Sequence, residues 1–326
     1  MSSVYITDYI DHPDIEKKVL GDLLSDTLHS DIKVLLVWHE KIDDAFMDHL
    51  PLLQGIVRYG VGHDNLDLTA ASERGIYACN TPDYGTEEVA DTATAMILNI
   101  ARGVTCYDFL CRNYTDGSWQ ENTLSHIKRN SDIKIGIIGC GRIGGSVAMR
   151  AKALNFQVAM YDPYQPRGYE KMVGIERIDC LEELLGQSDI VSVHTPLTQE
   201  TRGMIDQRFI TAMKPGASLV NTARGCILNN LNDLYHALRS SQLSSCAFDV
   251  FPDEPPPHNH PLITAWRNRE PWLNGRLIIN PHSAYFSSQA YYEMRHKASH
   301  NALRILQNEK PYNWLNKGTM QTLAKV

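Results

Sequence analysis

Three ionisable residues each stand just beyond a short apolar run: Arg224 after Ser218–Asn221, Glu254 after Cys246–Val250, and His282 after Leu277–Asn280. Short apolar runs of this kind read as buried β-strands. Histidine is the side chain that can both give and take a proton near neutral pH. A carboxylate such as Glu254 would stabilise the imidazolium and fix its tautomer. The planar fork of Arg224 would grip a substrate carboxylate through two charge-assisted hydrogen bonds and polarise a neighbouring carbonyl. Taken singly, the three also read as a structural histidine, a surface ion-pair arginine and a solvated loop carboxylate.

A second constellation says what the proton transfer accompanies. The apolar run Lys134–Ile138 leads into Gly139, Gly141 and Gly144, spaced G-x-G-x-x-G. A helical pattern follows through Ile143, Val147, Ala151 and Leu154, and a second run, Gln157–Tyr161, ends at Asp162, 18 residues after Gly144. Strand, tight turn, helix, strand and acid is the order a dinucleotide site requires. Gly139 permits the turn, Gly141 lets backbone N–H groups approach a pyrophosphate, and Gly144 lets the helix pack close. The helix start at Arg142 and Ile143 offers unpaired N–H donors and the positive dipole end to phosphates. Asp162 can accept from the ribose hydroxyls and would repel a 2′-phosphate. No arginine follows it directly, so NAD(H) is expected over NADP(H). A proton donor beside a nicotinamide suits hydride transfer to or from a small acid. The competing reading is a plain glycine turn in a structural α/β unit.

The elements that must position these groups alternate along the chain. Candidate strands before the glycine turn are Val4–Ile6, Lys33–Trp38, Gly55–Tyr59 and Gly75–Cys79; after it, Asp189–His194 joins those already named. Helical patterns fill most gaps, which predicts parallel sheets covered on both faces. Long helical patterns at 87–112 and 287–307 read as crossovers between two blocks. The expected fold is α/β with two doubly wound parallel-sheet domains. A Rossmann NAD domain, 99–286, is inserted in a flavodoxin-like substrate domain, 1–98 and 287–326, with the active site expected between them. Ligands of such sheets bind beyond the carboxyl ends of the strands. Arg224, Glu254 and His282 therefore fall on one rim with the glycine turn, as do His194, Thr195, Pro196, Thr222 and Ala223, which read as lining the cofactor. The Pro-rich stretch 252–275 reads as a long ordered loop.

Composition narrows the class. The chain has 326 residues, 43% hydrophobic, with a net charge of −7 and no basic block, which argues against nucleic acid as a partner. No apolar run approaches the roughly 20 residues of a membrane helix, and the N-terminus lacks a signal peptide's basic start. The seven cysteines are scattered without paired spacing, so reduced thiols and a cytoplasmic location are expected. Cys140, inside the glycine turn, reads as a small tolerated residue. His258-x-His260 lacks matched cysteine or acidic ligands, and no metal is expected.

The stretches RYGVGHDNLD (58–67), NTPDYGTEEVAD (80–91), VNTARG, FDVFPDEP and NPHSA resemble the signature segments of the D-isomer-specific 2-hydroxyacid dehydrogenase family, in order, from about 55 to 305. Segments MYDPY (160–164), LVNTARG (219–225) and HSAYFSSQAYYEMR (282–295), with Arg58 just before the Gly-x-Gly pair, resemble its C-terminal-binding-protein branch most closely. The resemblance implies that His282 is the acid/base paired with Glu254, and that Arg224 binds and polarises the substrate. It implies that backbone N–H groups of Gly60, Val61 and Gly62 hold the substrate carboxylate. It further implies that Asp249 binds the nicotinamide carboxamide, that Thr86 lies in a loop near the cofactor, and that the protein is a homodimer. Glu254 stands where formate dehydrogenases carry an amide, which favours 2-hydroxy or 2-keto acids; phosphite dehydrogenases share the Arg–Glu–His set, so phosphite stays open. Tyr285 replaces the branch's tryptophan, which adds a hydroxyl near the substrate. The 28-residue span from Glu254 to His282 is enlarged by a loop at 265–276 that could cover the cleft or meet another subunit. Arg58 could read a second anionic group or form an interdomain ion pair. The other function class is an NADH-gated protein-binding module of the corepressor type. Those proteins carry long flexible tails, and none of that kind follows the last helical pattern here, so the enzyme is the favoured expectation.

Overall fold

The structure, a computed structural model, describes residues 2–112, 114–115, 119–124 and 127–319. It comprises two compact units, Met1–Gly85 with Phe286–Val326, and Thr86–Tyr285. The first unit holds a parallel sheet of β1 (Val4–Ile6), β2 (Leu24–Ser25), β3 (Val34–Val37), β4 (Gly55–Arg58) and β5 (Tyr77–Cys79) in the order β2-β1-β3-β4-β5. That is the flavodoxin-like order. Every residue of β3 is buried, as expected of a strand covered on both faces. Helix Ser288–Leu306 returns from the end of the chain to pack on β3, β4 and the short helix Asp14–Leu20. Gly55 makes that packing close: a Cβ there would lie 2.5 Å from Cδ1 of Ile305.

The second unit holds β6 (Lys134–Ile138), β7 (Gln157–Tyr161), β8 (Glu176–Arg177), β9 (Ile190–Val193), β10 (Ala217–Asn221), β11 (Leu243–Phe248) and β12 (Leu277–Ile279). All pair in parallel, in the order β12-β11-β10-β9-β6-β7-β8. The order reverses between β6 and β9, and such a switch point opens a crevice at the carboxyl ends of the strands. Two apolar clusters cover the two faces of the sheet, one around Leu219, Leu234 and Phe248, the other around Ile135, Val147 and Met160.

Three elements differ from the sequence expectation. The helical pattern at 87–112 is two helices, Thr86–Arg102 and Val104–Arg112. Gly103 breaks it with φ +62°, and a side chain there would strike Leu124 at 2.7 Å. Helix Thr86–Arg102 packs on helix Arg142–Ala153, so the first break between the units falls at Gly85–Thr86 where the sequence suggested 98–99. The stretch 252–275 is not loop throughout: it contains helix Pro261–Arg267, capped by the His260 side chain with proline at its start. Proline fits there because the first helical N–H has no intrahelical partner. Among the described residues, no helix is long and apolar enough to cross a membrane.

Candidate active site

His282 lies just past β12 in a left-handed backbone conformation, φ +53°, which non-glycine residues adopt only when surrounding bonds enforce it. Asp249, just past β11 and 2% exposed, supplies those bonds. Its carbonyl accepts from the His282 N–H at 2.8 Å, and its carboxylate accepts from the N–H groups of Ser283 (2.9 Å) and Ala284 (3.0 Å). Burial pushes the Asp249 carboxyl above its usual range despite those N–H groups and the nearby His282. Nδ1 of His282 is 2.8 Å from Oε2 of Glu254. A carboxylate only accepts, so the proton belongs on Nδ1 and Nε2 is left for chemistry. The other Glu254 oxygen accepts from the Phe251 N–H at 2.9 Å. Burial raises the Glu254 carboxyl, but the His282 bond and charge, the Phe251 N–H and the charge of Arg224 together hold it below its ordinary value. The carboxylate therefore stays ionised through neutral pH, facing the imidazole.

Arg224 lies just past β10. Asn221 shapes its loop, accepting from the Ala223 N–H and donating to the Arg224 carbonyl, each at 3.0 Å. One guanidinium nitrogen is fixed on the Ala223 carbonyl at 2.7 Å. Gly225 brings this loop against the Glu254 loop: a Cβ there would stand 1.8 Å from the Phe251 carbonyl oxygen. The unit thus gathers Arg224, Glu254 and His282 on one sheet rim. Tyr285 joins them, its ring edge-on to His282 at 6.5 Å.

On the same rim the glycine turn forms a cradle. Gly139 has φ +82°, and a Cβ there would strike the His194 and Thr195 backbone at 2.9 Å. At Gly144 a Cβ would meet the Gly139 carbonyl oxygen at 2.0 Å, whereas at Gly141 it would meet no protein atom within 4 Å. No side chain caps helix Arg142–Ala153, so the first-turn donors at Arg142, Ile143 and Gly144 suit a phosphate. Asp162 is oriented by the N–H groups of Cys140 (2.8 Å) and Tyr164 (2.9 Å). Around this turn the hydroxyls of Thr195 and Thr222 and Nδ1 of His194 are buried without a hydrogen-bond partner. Each such group costs about 1–3 kcal/mol unless a ligand satisfies it. These orphan polar atoms, the open face at Gly141 and the oriented acid fit a dinucleotide. Pro196 and Ala223 flank the orphan groups in sequence. Burial lowers the His194 pKa to about 4, which keeps the ring neutral and suits hydrogen bonding rather than acid–base work. Thr86 opens a helix instead of lying in a loop.

In the first unit, β4 delivers Arg58 and the turn Gly60, Val61 and Gly62. The Gly60 carbonyl accepts from the Thr81 N–H at 3.0 Å, and the Val61 carbonyl from the Asn80 amide at 2.6 Å. N–H and C=O point opposite ways across a trans peptide. The Val61 N–H therefore points away from the Thr81 N–H, and the Gly62 N–H away from the Asn80 amide. The guanidinium of Arg58 lies against the Cα of Gly60, beside the Tyr84 hydroxyl.

Several supporting residues escaped the sequence. Asn80 and Thr81 fix the turn; they lie in the signature-like stretch 80–91, which gave them no role. Arg177 donates to the Asp162 and Gln165 carbonyls at 2.8 and 3.0 Å, bracing the acid's loop from a strand too short to read. His258 contacts Arg267 at 2.6 Å, and His260 contacts Asn232 at 3.1 Å and caps a helix, so both rings have roles without metal. The loop at 265–276 is pinned by Arg276, which donates to the Leu238, Leu243, Ser244 and Trp272 carbonyls. Leu243 and Ser244 begin β11, so the loop's end is anchored at the end of the sheet opposite the His282 rim.

Residues 94–284 match the family described as D-isomer specific 2-hydroxyacid dehydrogenase, NAD binding domain. The chain is 34% identical over 290 residues to a glyoxylate reductase of Korarchaeum cryptofilum, covering 88% of this chain and 82% of that protein. It is 32% identical over 309 residues to a glyoxylate reductase of Thermococcus litoralis, covering 92% and 88%. Among solved structures, the TT0316 protein of Thermus thermophilus superposes with a TM-score of 0.79 at 30% identity, covering 96% of this chain and 99% of that one. D-Lactate dehydrogenase of Aquifex aeolicus, complexed with NAD and lactic acid, shares the fold with a TM-score of 0.80 at 24% identity, over 98% of both chains.

Proposed function

The chain belongs to the NAD-dependent D-isomer specific 2-hydroxyacid dehydrogenase family, and from that premise we propose that it interconverts a small 2-keto acid and its D-2-hydroxy acid. The His282–Glu254 pair at 2.8 Å, on the rim that carries the glycine cradle, is the observation that supports this most. When bound, NAD supplies the hydride acceptor or donor for C2. Nε2 of His282 gives or takes the proton of the C2 oxygen, and Glu254 stabilises the charge this leaves on the ring. Arg224 binds the carboxylate and polarises the C2 carbonyl, and the Val61 and Gly62 N–H groups, with Gly60, bind the carboxylate as well. Asp249 holds the His282 loop, and a carboxylate with about four acceptor positions retains capacity for the nicotinamide carboxamide. Asp162 favours NADH over NADPH. Tyr285 faces the substrate beside His282. We also place the chain nearest the C-terminal-binding-protein-like branch, on the segments at 160–164 and 282–295.

Initial rates of NADH and NADPH oxidation across branched, aromatic and dicarboxylic 2-keto acids test this reading. At least one acid is turned over, faster with NADH. Silence across the panel, with capture of short peptides in an NADH-dependent way, would instead establish the binding-module class.

Arg58 is proposed to read a second anionic group on the substrate. Arg58→Ala then lowers kcat/KM for a dianionic keto acid by about tenfold, the worth of one charge-assisted hydrogen bond, and leaves pyruvate unaffected. Equal losses for both acids would reject the assignment.

A homodimer is proposed from the exposed apolar side chains Val104, Leu110, Tyr114 and Trp119. Leu110 also lines a cavity of about 640 Å³, together with Ile100, Phe109, Leu124 and Ile127. Such a surface on one segment marks a contact site. Sedimentation equilibrium should give twice the chain mass; a monomer at micromolar concentration contradicts it.

A further inference from the structure

Glu16 is 0% exposed, on the short helix Asp14–Leu20, and its carboxylate is enclosed by three donors. Arg295, 5% exposed on helix Ser288–Leu306, donates Nε to Oε1 at 2.9 Å and Nη2 to Oε2 at 2.6 Å. The third donor is the Tyr59 hydroxyl, 3.0 Å from Oε1. Arg295 also reaches the His12 carbonyl at 2.8 Å and Asp14 at 3.1 Å, and lies over the Tyr291 ring at 5.2 Å. A buried ion pair of this kind is no strong source of stability, because desolvation offsets its attraction. What it does provide is a fixed point. Tyr59 is 1% exposed and immediately precedes Gly60. Its ring packs on Trp38 at 5.7 Å, and its N–H is held by the Val37 carbonyl at 2.7 Å. The turn at 60–62 is thus held from both sides: by Asn80 and Thr81 through its carbonyls, and by Glu16 through Tyr59.

We propose that Glu16, clamped by Arg295, acts through the Tyr59 hydroxyl as a positioning residue for the Gly60–Val61–Gly62 turn and thereby sets the affinity for the substrate carboxylate. This rests on the functional reading above. It differs from a stability role in what it moves: the turn's backbone donors must keep their directions, and misalignment weakens substrate binding before it weakens the fold.

Tyr59→Phe removes one oxygen and keeps the ring. The KM for the best 2-keto acid should rise about tenfold, with kcat, NADH affinity and Tm near their wild-type values. Glu16→Gln should raise KM likewise, and the double variant no further than the worse single, because both cut one chain of contacts. Backbone hydrogen exchange should accelerate at residues 59–62 in Tyr59→Phe and not in β3. An unchanged KM with unchanged exchange overturns the proposal, and so does a fall in Tm and kcat without a KM change. Should the wild type reduce no 2-keto acid, the functional reading falls, and exchange still decides the network: faster exchange confined to 59–62 upholds it, and none rejects it.

Discussion

His282→Ala should lower kcat by about 10²–10⁴-fold, the usual worth of a positioned general acid–base, with little change in NADH affinity. The size of the effect follows from the proposed acid–base role and from how the structure holds this ring. Glu254 takes Nδ1, so Nε2 is the one position left to exchange a proton with substrate. Asp249 holds the backbone on both sides of the ring in a conformation histidine seldom adopts. The Glu254 carboxyl is held below its ordinary value despite burial, so the charge that supports the protonated ring persists well below neutral pH. The cradle at Gly139–Gly144 and the orphan groups of Thr195 and Thr222 remain intact in the variant, so NADH affinity should hold. Stopped-flow NADH binding beside steady-state turnover measures both quantities. Turnover within a few-fold of wild type would remove His282 from the mechanism.

Arg224→Ala should lower kcat/KM for the same acid by about 30- to 4,000-fold, since removing one partner of a hydrogen-bonded charge pair costs about 2–5 kcal/mol. Both constants should move. KM rises because a carboxylate contact is lost, and kcat falls because the carbonyl loses a nearby positive charge as it develops negative charge. Arg224→Lys should restore little, because an ammonium reproduces the charge without the planar fork. A rise in KM alone would limit Arg224 to binding; full activity of the lysine variant would mean that only charge matters at this position.

The strands that carry the site were readable because parallel strands buried on both faces are short continuous apolar runs. β1, β6 and β7 have the bounds the apolar pattern suggests. The residues past them follow from the rule that such sheets bind ligands at their carboxyl ends. What was not readable depends on distance or on brevity. Glu16 and Arg295 are 279 positions apart, and no local pattern pairs them. β2 and β8 have two residues each, too few for any periodicity. Helix Pro261–Arg267 hides among prolines, one of which starts it. Gly103 interrupts a pattern whose apolar residues continue across the break. The roles of Asn80 and Thr81 come from the direction of two carbonyls, which only the folded chain displays.

The most direct test of the central claim is the chirality and stoichiometry of the product that purified protein forms from its best 2-keto acid with NADH. The expected result is a D-2-hydroxy acid, one NADH consumed for each molecule formed, and near-complete loss of product with His282→Ala. An L or racemic product, or no NADH-dependent product from any 2-keto acid, would contradict it.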